Sequence, residues 1–519
     1  MFESPENGCD PKRASQRATR EKPKQMPSPR RLPASTGASE LTNPSVSATY
    51  PQMRDLLPAS LLDLLGKERL LDRAFLVGGC VRDALFGMPC KDFDIEVYGV
   101  GYDELVEALR KWGRADLVGR SFGVVKLTVS GGETYDFAIP RRDSKTAPGH
   151  KGFEIEFDPD ISQRDAASRR DFTINALTYD PRKDEVVDHF GGREDLERRI
   201  LRHTSGAFVE DPLRVLRGMQ FVSRFELTAA PETIKLCRSI RNGFTELAKE
   251  RVREEWFKWA AKSVRPSAGL LFLEETGWLD HFPELKVLRA TPQDAEWHPE
   301  GDVFIHTCHC CDALARLPEW RSRNEGSRIV YMLGVLCHDL GKPETTHEKV
   351  RDGRPRIVSP GHAGVGVEVA EAFLARIDAP MDIRRRVKPL VQCHMAHLDS
   401  ISDRSVRRLA NRLQPETIEG LGLVITADHM GRPPKPAVAP ATVKTLQFKA
   451  RELELERSAP APILQGRHLI ERGMEPGPEM GAILKRAFEA QLDGEFADIE
   501  AALMWLEGLI HDDDASPTN

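Results

Sequence analysis

The sequence predicts an α+β protein, a small mixed α/β head followed by an all-helical body. Three observations predict it. Between about Leu56 and His203, short apolar runs closed by Gly or Pro (AFLVGG, FDIEVYG, GVVKLTVSG, TYDFAIP) read as strands, and GYDELVEALRKWG between them reads as a helix stopped by glycine. After His203 nearly every segment to residue 510 has helical spacing, as in DPLRVLRGMQFVSRF and EVAEAFLARI. At 519 residues the chain is too long for one compact core, which fits roughly three or four units in series.

Residues 1–48 are rich in Pro, Ser, Lys and Arg without apolar periodicity and read as a disordered basic tail. Glu3, Glu6 and Asp10 interrupt any transit-peptide pattern. The head spans 49–203. In it LTYDPRKDEVVDHF reads as a hairpin, and RRDSKTAPGHKGFEIEFDPDIS, starting at Arg141, as a long, weakly patterned functional loop reaching Gln163. Breaks near 290–303, 350–360 and 431–462 divide the helical part into a body (204–290), a third unit (291–432), a Pro-rich linker and helix (433–462) and a terminal helical module (463–510). No repeat of fixed period emerges.

Hydrophobic residues make up 40% of the chain and charged residues 30%, as in a globular protein. No run approaches the ~20 apolar residues of a membrane span, and no signal-peptide core follows Met1, so no membrane association is expected. The nine cysteines are scattered, which suits a reducing cytoplasm. With a net charge of -6, any RNA-binding face must be a local basic stripe on an acidic body. Nothing in the sequence implies a protein partner.

The stretch FLVGGCVRDALFGMPCKDFDIEVYG, Phe75 to Gly99, concentrates chemistry. Gly78 and Gly79 at a strand end let backbone approach a phosphate, and the following helix offers unpaired N–H groups. Arg82, a turn into that helix, can fork onto phosphate oxygens. Asp92 and Asp94 stand at i and i+2 of a strand and share one face. Paired carboxylates need a cation between them, and Mg²⁺ is the natural guest. Two such ions about 4 Å apart hold attacking and leaving oxygens in line for phosphoryl transfer. A glycine pair alone is ordinarily a turn and an Asp-x-Asp alone a solvated pair; the joint order and spacing separate this stretch from both.

This stretch resembles the signature of the class II tRNA nucleotidyltransferase (CCA-adding enzyme) and bacterial poly(A) polymerase family, within the DNA polymerase β-like superfamily. RRDFTINAL (Arg169 to Leu177), EDPLRVLRGMQF (Glu210 to Phe221) and KERVREEWFKWA (Lys249 to Ala260) are similar to the family's further motifs, in the expected order. The resemblance covers roughly residues 56–280 and implies a polymerase β-like nucleotidyltransferase head. It implies that Asp92 and Asp94 bind Mg²⁺, that Gly79 and Arg82 hold the triphosphate, and that Arg170, Asp171 and Asn175 contact the nucleotide. Asn175 also fits a cap or turn, and Asp171 an ion pair with Arg170. Asp136 in TYDFA is a candidate third carboxylate.

Asp211 and Arg214 are three apart on an expected helix and can point the same way. A carboxylate only accepts hydrogen bonds and a guanidinium only donates them. Cytosine and adenine present an amino donor beside a ring-nitrogen acceptor, whereas uracil and guanine meet this pair with the wrong polarity. A site of such groups rejects a mismatched base strongly, because its buried polar atoms are left unpaired. The pair therefore suits CTP and ATP, with Arg217 one turn further for the triphosphate or the same template. A helix-capping aspartate beside solvated arginines is the alternative.

A second constellation lies downstream: His306 in FIHTC, His338-Asp339 in LCHDLGK, His362 in SPGHAG, His394 in QCHMAH and Asp428 in TADHMG. Adjacent His-Asp followed by Leu-Gly-Lys resembles the HD phosphohydrolase superfamily, which makes 291–432 an HD domain by that resemblance. It implies that His306, His338, Asp339 and Asp428 gather around a divalent metal, with His362 and His394 as candidates for a second position. Such ligands suit Mn, Fe, Ni or Mg, and a metal-activated water can hydrolyse phosphoesters, including cyclic phosphate ends of damaged RNA. Cys308-His309-Cys310-Cys311 lacks zinc-finger spacing and reads as small buried helix residues.

Leu464 to Phe496 is similar to a C-terminal segment of many tRNA nucleotidyltransferases and implies a tail that grips tRNA. Arg467, Arg472 and Lys485 could touch phosphates or stay solvated. The expected activity is untemplated transfer of CMP and AMP from CTP and ATP to tRNA 3′ ends. The rivals are a poly(A) polymerase, an enzyme adding only C or only A, and, in another class, an HD phosphohydrolase with an RNA-binding head.

Overall fold

A computed structural model describes residues 53–90, 92–117, 123–145, 153–396 and 401–514, with backbone alone for 142–145, 153–156 and 510–514. The expected basic tail, 1–48, lies outside the described residues. Residues Pro51–Asn519 form one compact unit.

The head is built on strands β1 (Ala74–Val77), β2 (Asp94–Val97), β3 (Gly113–Leu117), β4 (Val124–Val129), β5 (Thr134–Ala138), β8 (Thr178–Asp180) and β9 (Glu185–Val187), and on the ribbon β6 (Arg141–Lys145) and β7 (Phe153–Phe157). Apart from that ribbon they form one sheet, ordered β3-β4-β5-β2-β1-β8-β9. Only β2 and β5 run parallel, with Asp94 opposite Asp136. Helices α1 (Ala59–Lys67), α2 (Gly79–Leu85), α3 (Tyr102–Arg110), α4 (Gln163–Ser168) and α5 (Gly192–Glu197) accompany the strands. The period-2 pattern buries Ile95, Val97, Val125, Leu127 and Phe137 and turns the alternate residues outward.

The expected hairpin is β8–β9. The stretch read as a loop from Arg141 differs: β6 and β7 pair antiparallel over Arg141↔Phe157 to Lys145↔Phe153. Its Phe153-Glu-Ile-Glu-Phe157 alternation was a strand signal weakened by the polar β6 facing it. Residues 146–152 lie outside the described residues.

The helical part runs through α6 (Leu213–Phe225), α7 (Pro231–Ser239), α8 (Lys249–Lys262), α9 (Pro266–Glu275) and α10 (Pro283–Lys286). It continues with α11 (Val303–Arg316), α12 (Pro318–Arg321), α13 (Glu325–Cys337), α14 (Lys342–Thr345), α15 (His362–Arg376), α16 (Met381–Cys393), α17 (Asp403–Arg412) and α18 (Ile418–Met430). Helices α19 (Ala441–Glu452), α20 (Gly466–Ile470), α21 (Pro478–Asp493) and α22 (Ile499–Asp514) end it. Helicity is not complete here: Ile200–Leu201 (β10) pairs with Thr228–Ala229 (β11), and His347–Arg351 (β12) with Arg354–Val358 (β13). The second ribbon fills the break expected near 350–360. Buried Trp256 of α8 packs edge-on against Phe282 at 5.0 Å and against Phe373 of α15 at 5.3 Å, which joins body to histidine-bearing helices. The last helices close over their own apolar cluster of Leu464, Leu469, Ile483, Phe496 and Leu506, and α17 holds them through Arg404 and Arg408 against Asp493.

Candidate active sites

The turn between β1 and α2 depends on Gly78. It has φ +73°, and a Cβ there would lie 2.6 Å from Arg170 Nη1, so any side chain would meet both backbone strain and a clash. Arg82, buried in α2, donates to Asn175 Oδ1 at 2.5 Å and to Asp83 at 2.6 Å, with its guanidinium 4.6 Å from the Phe225 ring centroid. Asn175 sits in a 3-10 turn, Thr173–Asn175, and passes the network on: its Nδ2 donates to Asp171 Oδ1 at 2.9 Å, and Arg217 Nε donates to Asp171 Oδ2 at 2.7 Å. Asp171 thus pairs with Arg217, not with Arg170 as the sequence alternative had it. Burial opposes the Asp171 charge, but Arg217 and Asn175 hold its carboxyl below the usual range.

Asp94 is the first residue of β2, and Asp92, expected on the same strand, stands just before it, close enough for its charge to act on Asp94. Glu96, which the sequence analysis passed over, continues the same alternation. It accepts from Arg170 Nη2 at 2.7 Å and from the Tyr98 hydroxyl at 2.9 Å. Asp136 stands beside Asp94 on β5, its Oδ1 buried without a hydrogen bond and Lys126 Nζ at 3.4 Å. Burial pushes the Asp94 carboxyl up, as do Asp136, Asp92 and Glu96, while Arg170 opposes them. A cluster of carboxylates with one orphaned oxygen fits hard divalent cations. Among the described residues, however, no three ligand atoms here come within 4.8 Å of one another.

Beside these carboxylates opens a cavity of about 510 Å³ lined by Gly78, Gly79, Arg82 and Asp94. It is also lined by Arg170, Asp171, Asn175, Asp211, Arg214 and Arg217, so one cleft gathers every nucleotide-contact candidate. Arg214, Arg217, Phe221 and Arg224 present one face of α6 to it, at i, i+3, i+7 and i+10. Asp211 is not on the helix as expected. It precedes α6, accepts from Leu213 N–H at 3.1 Å as a cap does, and pairs with Arg251 Nη2 at 2.8 Å. Arg214 donates to the carbonyls of Ala207 (2.8 Å) and Arg169 (2.7 Å). These bonds fix both side chains and use only part of their capacity. Arg251, Glu255, Lys258 and Lys262, at i, i+4, i+7 and i+11 of α8, line the opposite wall. That spacing is legible in KERVREEWFKWAAK, although nothing local in it assigns these four residues a role.

The second centre lies where α11, α13, α15, α16 and α18 meet. His306 comes from α11, His338 and Asp339 from the end of α13, His362 from the start of α15, His394 from the end of α16 and Asp428 from α18. Nδ1–H of His338, His362 and His394 donates to the carbonyls of Val335 (2.6 Å), Ser359 (2.8 Å) and Val391 (2.7 Å). Their Nε2 lone pairs therefore face inward. His362 and His394 Nε2 are 3.1 Å apart, His362 Nε2 is 3.3 Å from Asp339 Oδ1, and His306 Nε2 is 3.1 Å from Asp428 Oδ1. His338 Nε2 and Asp339 Oδ2 are buried and face each other at 3.1 Å, with Lys342 Nζ 2.7 Å from the same carboxylate oxygen. Burial and neighbouring His338 push His394 down to about 3, which keeps it neutral. Converging imidazole lone pairs beside buried carboxylates fit a divalent metal. Among the described residues three candidate ligand groups result: His306, Cys310, His338 and Asp428; His298, Glu300 and His306; and Asp339, His362 and His394, so Asp339 groups with His362 and His394 and not with His306, His338 and Asp428. Gly341 of the LGK sequence is forced by packing, since a Cβ there would lie 2.1 Å from His362 O.

Glu300 was missed. Its Oε1 accepts from His306 Nδ1 at 2.7 Å and His298 Nδ1 at 2.9 Å, fixing the ring of His306 from behind. Burial works against its charge, yet the two histidines hold its carboxyl down to about 2. Cys308, Cys310 and Cys311 are buried as expected, but Cys310 Sγ lies 3.4 Å from His306 Nε2, inside this cluster rather than in plain core. Arg467, Arg472 and Lys485 are exposed on the terminal helices. No described helix is long and apolar enough to cross a membrane.

Residues 74–202 match the family model described as the Poly A polymerase head domain. The chain is 36% identical over 401 residues to the multifunctional CCA protein of Xanthomonas campestris, covering 73% of this chain and 92% of that protein. It is 33% identical over 429 residues to the multifunctional CCA protein of Methylococcus capsulatus, covering 80% and 93%. Among solved structures, the CCA-adding enzyme of Bacillus stearothermophilus in complex with CTP superposes with a TM-score of 0.60 at 20% identity, over 88% of this chain and 100% of that one. The Thermotoga maritima CCA-adding enzyme complexed with tRNA gives 0.54 at 20% identity, over 88% and 98%, a likeness in fold. Head, cleft and sequence kinship lead to one conclusion: the chain belongs to the class II CCA-adding enzyme family, the tRNA nucleotidyltransferases with a poly(A) polymerase-type head.

Proposed function

We propose that this chain transfers CMP and AMP from CTP and ATP to the 3′ end of tRNA, building or repairing the terminal CCA. The observation that carries the reading is the cleft itself, where Asp94, with Asp136 beside it on β5 and Asp92 two residues before it, meets Arg82, Arg170 and Arg217. Those carboxylates would hold divalent cations, with Mg²⁺ the best match to an all-oxygen set, which supply a lowered pKa for the primer's 3′-hydroxyl and charge neutralisation on the triphosphate. No side chain is needed as general base. Arg82, Arg170 and Arg217 bind and orient the triphosphate in line with the hydroxyl. Asp211 accepts from the amino group of cytosine or adenine and Arg214 donates to the ring nitrogen, so uracil and guanine meet unpaired polar groups. The basic faces of the body and the exposed Arg467, Arg472 and Lys485 of the tail follow the tRNA backbone and shape. Cytoplasmic work suits this substrate. The segments 204–290 and 463–510 would then be the RNA-binding parts.

The test is incorporation of each labelled nucleotide, singly and mixed, into tRNAs ending before CCA, after C and after CC. Two CMP followed by one AMP, with UTP and GTP refused, is the expected result. Long A tracts on any RNA would make the chain a poly(A) polymerase, and C alone or A alone a partial enzyme.

A second activity is favoured by the inward-facing Nε2 atoms of His338, His362 and His394 around the buried Asp339 carboxylate. The histidine centre would hold a divalent transition metal or Mg²⁺ and hydrolyse phosphate ends of RNA, water being activated by the metal. Release of phosphate or opening of a 2′,3′-cyclic phosphate, lost in His338→Ala, is the measurement; no hydrolysis with Mg²⁺, Mn²⁺ or Ni²⁺ would leave the centre structural.

A further inference from the structure

The histidine centre opens into a cavity of about 340 Å³, larger than a phosphate group needs. Its floor is Asp339, His362, His394 and Asp428. Its mouth carries Trp297 with 57% of its surface exposed, an unusual place for so large an apolar side chain. Trp297 belongs to the segment before α11. Lys435 Nζ donates to the Trp297 carbonyl at 3.0 Å and lies 5.3 Å from its ring centroid. The same segment is braced to β13, where Arg356 pairs with Asp294 at 2.9 Å and with Glu296. The indole is thus held in place on a fixed support, not left on a loose loop.

Further cations line the same cavity. Lys342 Nζ is 2.7 Å from Asp339 Oδ2 and Arg432 Nη2 is 2.7 Å from Asp428 Oδ1, both beside the candidate metal ligands. Arg351, at the end of β12, lines the mouth and makes no ion pair among the described residues. Lys349 and Arg354 follow on the exposed ribbon. Half-exposed Met395 offers a second apolar surface at the same mouth.

We infer that this mouth is a nucleoside subsite: a base stacks on Trp297 while its phosphate enters the cavity toward Asp339 and Asp428, with Arg351 taking the adjoining backbone charge. An aromatic face beside a cation suits every base and reads no sequence, as expected of a site for terminal nucleotides. The inference deepens the proposed hydrolysis at the histidine centre and rests on that reading for the role, but not for the binding.

The experiment is calorimetric titration of the full chain in an Asp92→Ala/Asp94→Ala background, which weakens the head's own nucleotide site. Adenosine 2′-monophosphate, inorganic phosphate and a short RNA ending in a 2′-phosphate are the probes. Trp297→Ala is expected to weaken the mononucleotide about tenfold, Trp297→Phe to restore it within about threefold, and neither to change inorganic phosphate. Tighter, salt-dependent binding of the RNA that Arg351→Ala abolishes assigns the subsite to RNA ends; equal affinity for RNA and mononucleotide assigns it to free nucleotides. Unchanged mononucleotide affinity in Trp297→Ala, or equal loss of phosphate and mononucleotide, overturns the subsite. Trp297-dependent binding without any hydrolysis removes the hydrolytic reading alone, and hydrolysis insensitive to Trp297 removes the subsite alone.

Discussion

Arg251 is the perturbation that tests how base selection is built. Its guanidinium holds Asp211 Oδ2 at 2.8 Å while Leu213 N–H holds Oδ1 at 3.1 Å. The carboxylate that would read the base amino group is therefore clamped from behind. A hydrogen bond to a charged group contributes ~1.5–3 kcal/mol. The pair is a quarter to a third exposed (33% and 23%), so solvent screening reduces this to ~1–2 kcal/mol. In Arg251→Met that energy no longer holds Asp211 in the reading orientation, and discrimination against UTP and GTP should fall about 5–30-fold. CMP addition itself should fall less, because Arg82, Arg170 and Arg217 still hold the triphosphate. Single-turnover incorporation of CMP and UMP into a tRNA ending before CCA, at matched folded fractions, measures both. A uniform loss for every nucleotide, with the C-to-U ratio unchanged, would refute the clamp and leave Arg251 as a strut between α6 and α8.

Three further outcomes are expected. Asp92→Ala/Asp94→Ala should abolish nucleotide addition while sparing phosphate release at the histidine centre, checked by running both assays on one preparation. Glu300→Gln should weaken divalent-metal binding at that centre about tenfold or more, since a partner that orients a ligand commonly contributes that much; metal competition with a chromophoric chelator reads it, and unchanged affinity would make Glu300 a packing residue. Gly78→Ala should destabilise the fold by ~1–2 kcal/mol through its positive φ and raise the KM for both nucleotides, as thermal unfolding and steady-state kinetics would report.

What the sequence made legible follows from how local each signal was. Strands β1, β2, β4 and β5 and helix α3 announce themselves by period and by terminal glycine or proline, and the structure has them where expected. The ribbon β6–β7 was hidden because RRDSK is polar throughout and has no apolar alternation to announce the strand that its pairing with β7 makes. Asp92 and Asp94 were found because they stand two apart in sequence at the entry to β2. Glu96, two further on, was overlooked although the same rule reaches it. Asp211 and Arg214 were expected to point together from helix spacing; Pro212 starts the helix after Asp211, so their approach depends on the cap and on Arg251, thirty-seven or more residues away in sequence. Glu300 and Trp297 had no local signature, since their meaning lies in contacts with His306 and with the cavity formed by five helices.

The two centres are assembled to different degrees, and this carries a consequence for their metals. At the histidine centre, Nδ1–H bonds to carbonyls fix three rings, and within each candidate ligand group the ligand atoms lie within 4.8 Å of one another. Preformed sites of this kind lose little entropy on loading and retain their ion. In the head, Asp92, Asp94 and Asp136 form no such group among the described residues, and like charge opposes gathering them without added positive charge, which the metal–triphosphate substrate would bring. The expectation is that protein freed of excess metal by gel filtration keeps a divalent ion that His338→Ala removes and Asp94→Ala does not, and that further Mn²⁺, followed by its paramagnetic resonance, binds the head tightly only when CTP is added. Retention of an Asp94-dependent ion in the absence of nucleotide would show that the carboxylates gather on their own, and that the head's metal is resident rather than delivered with the substrate.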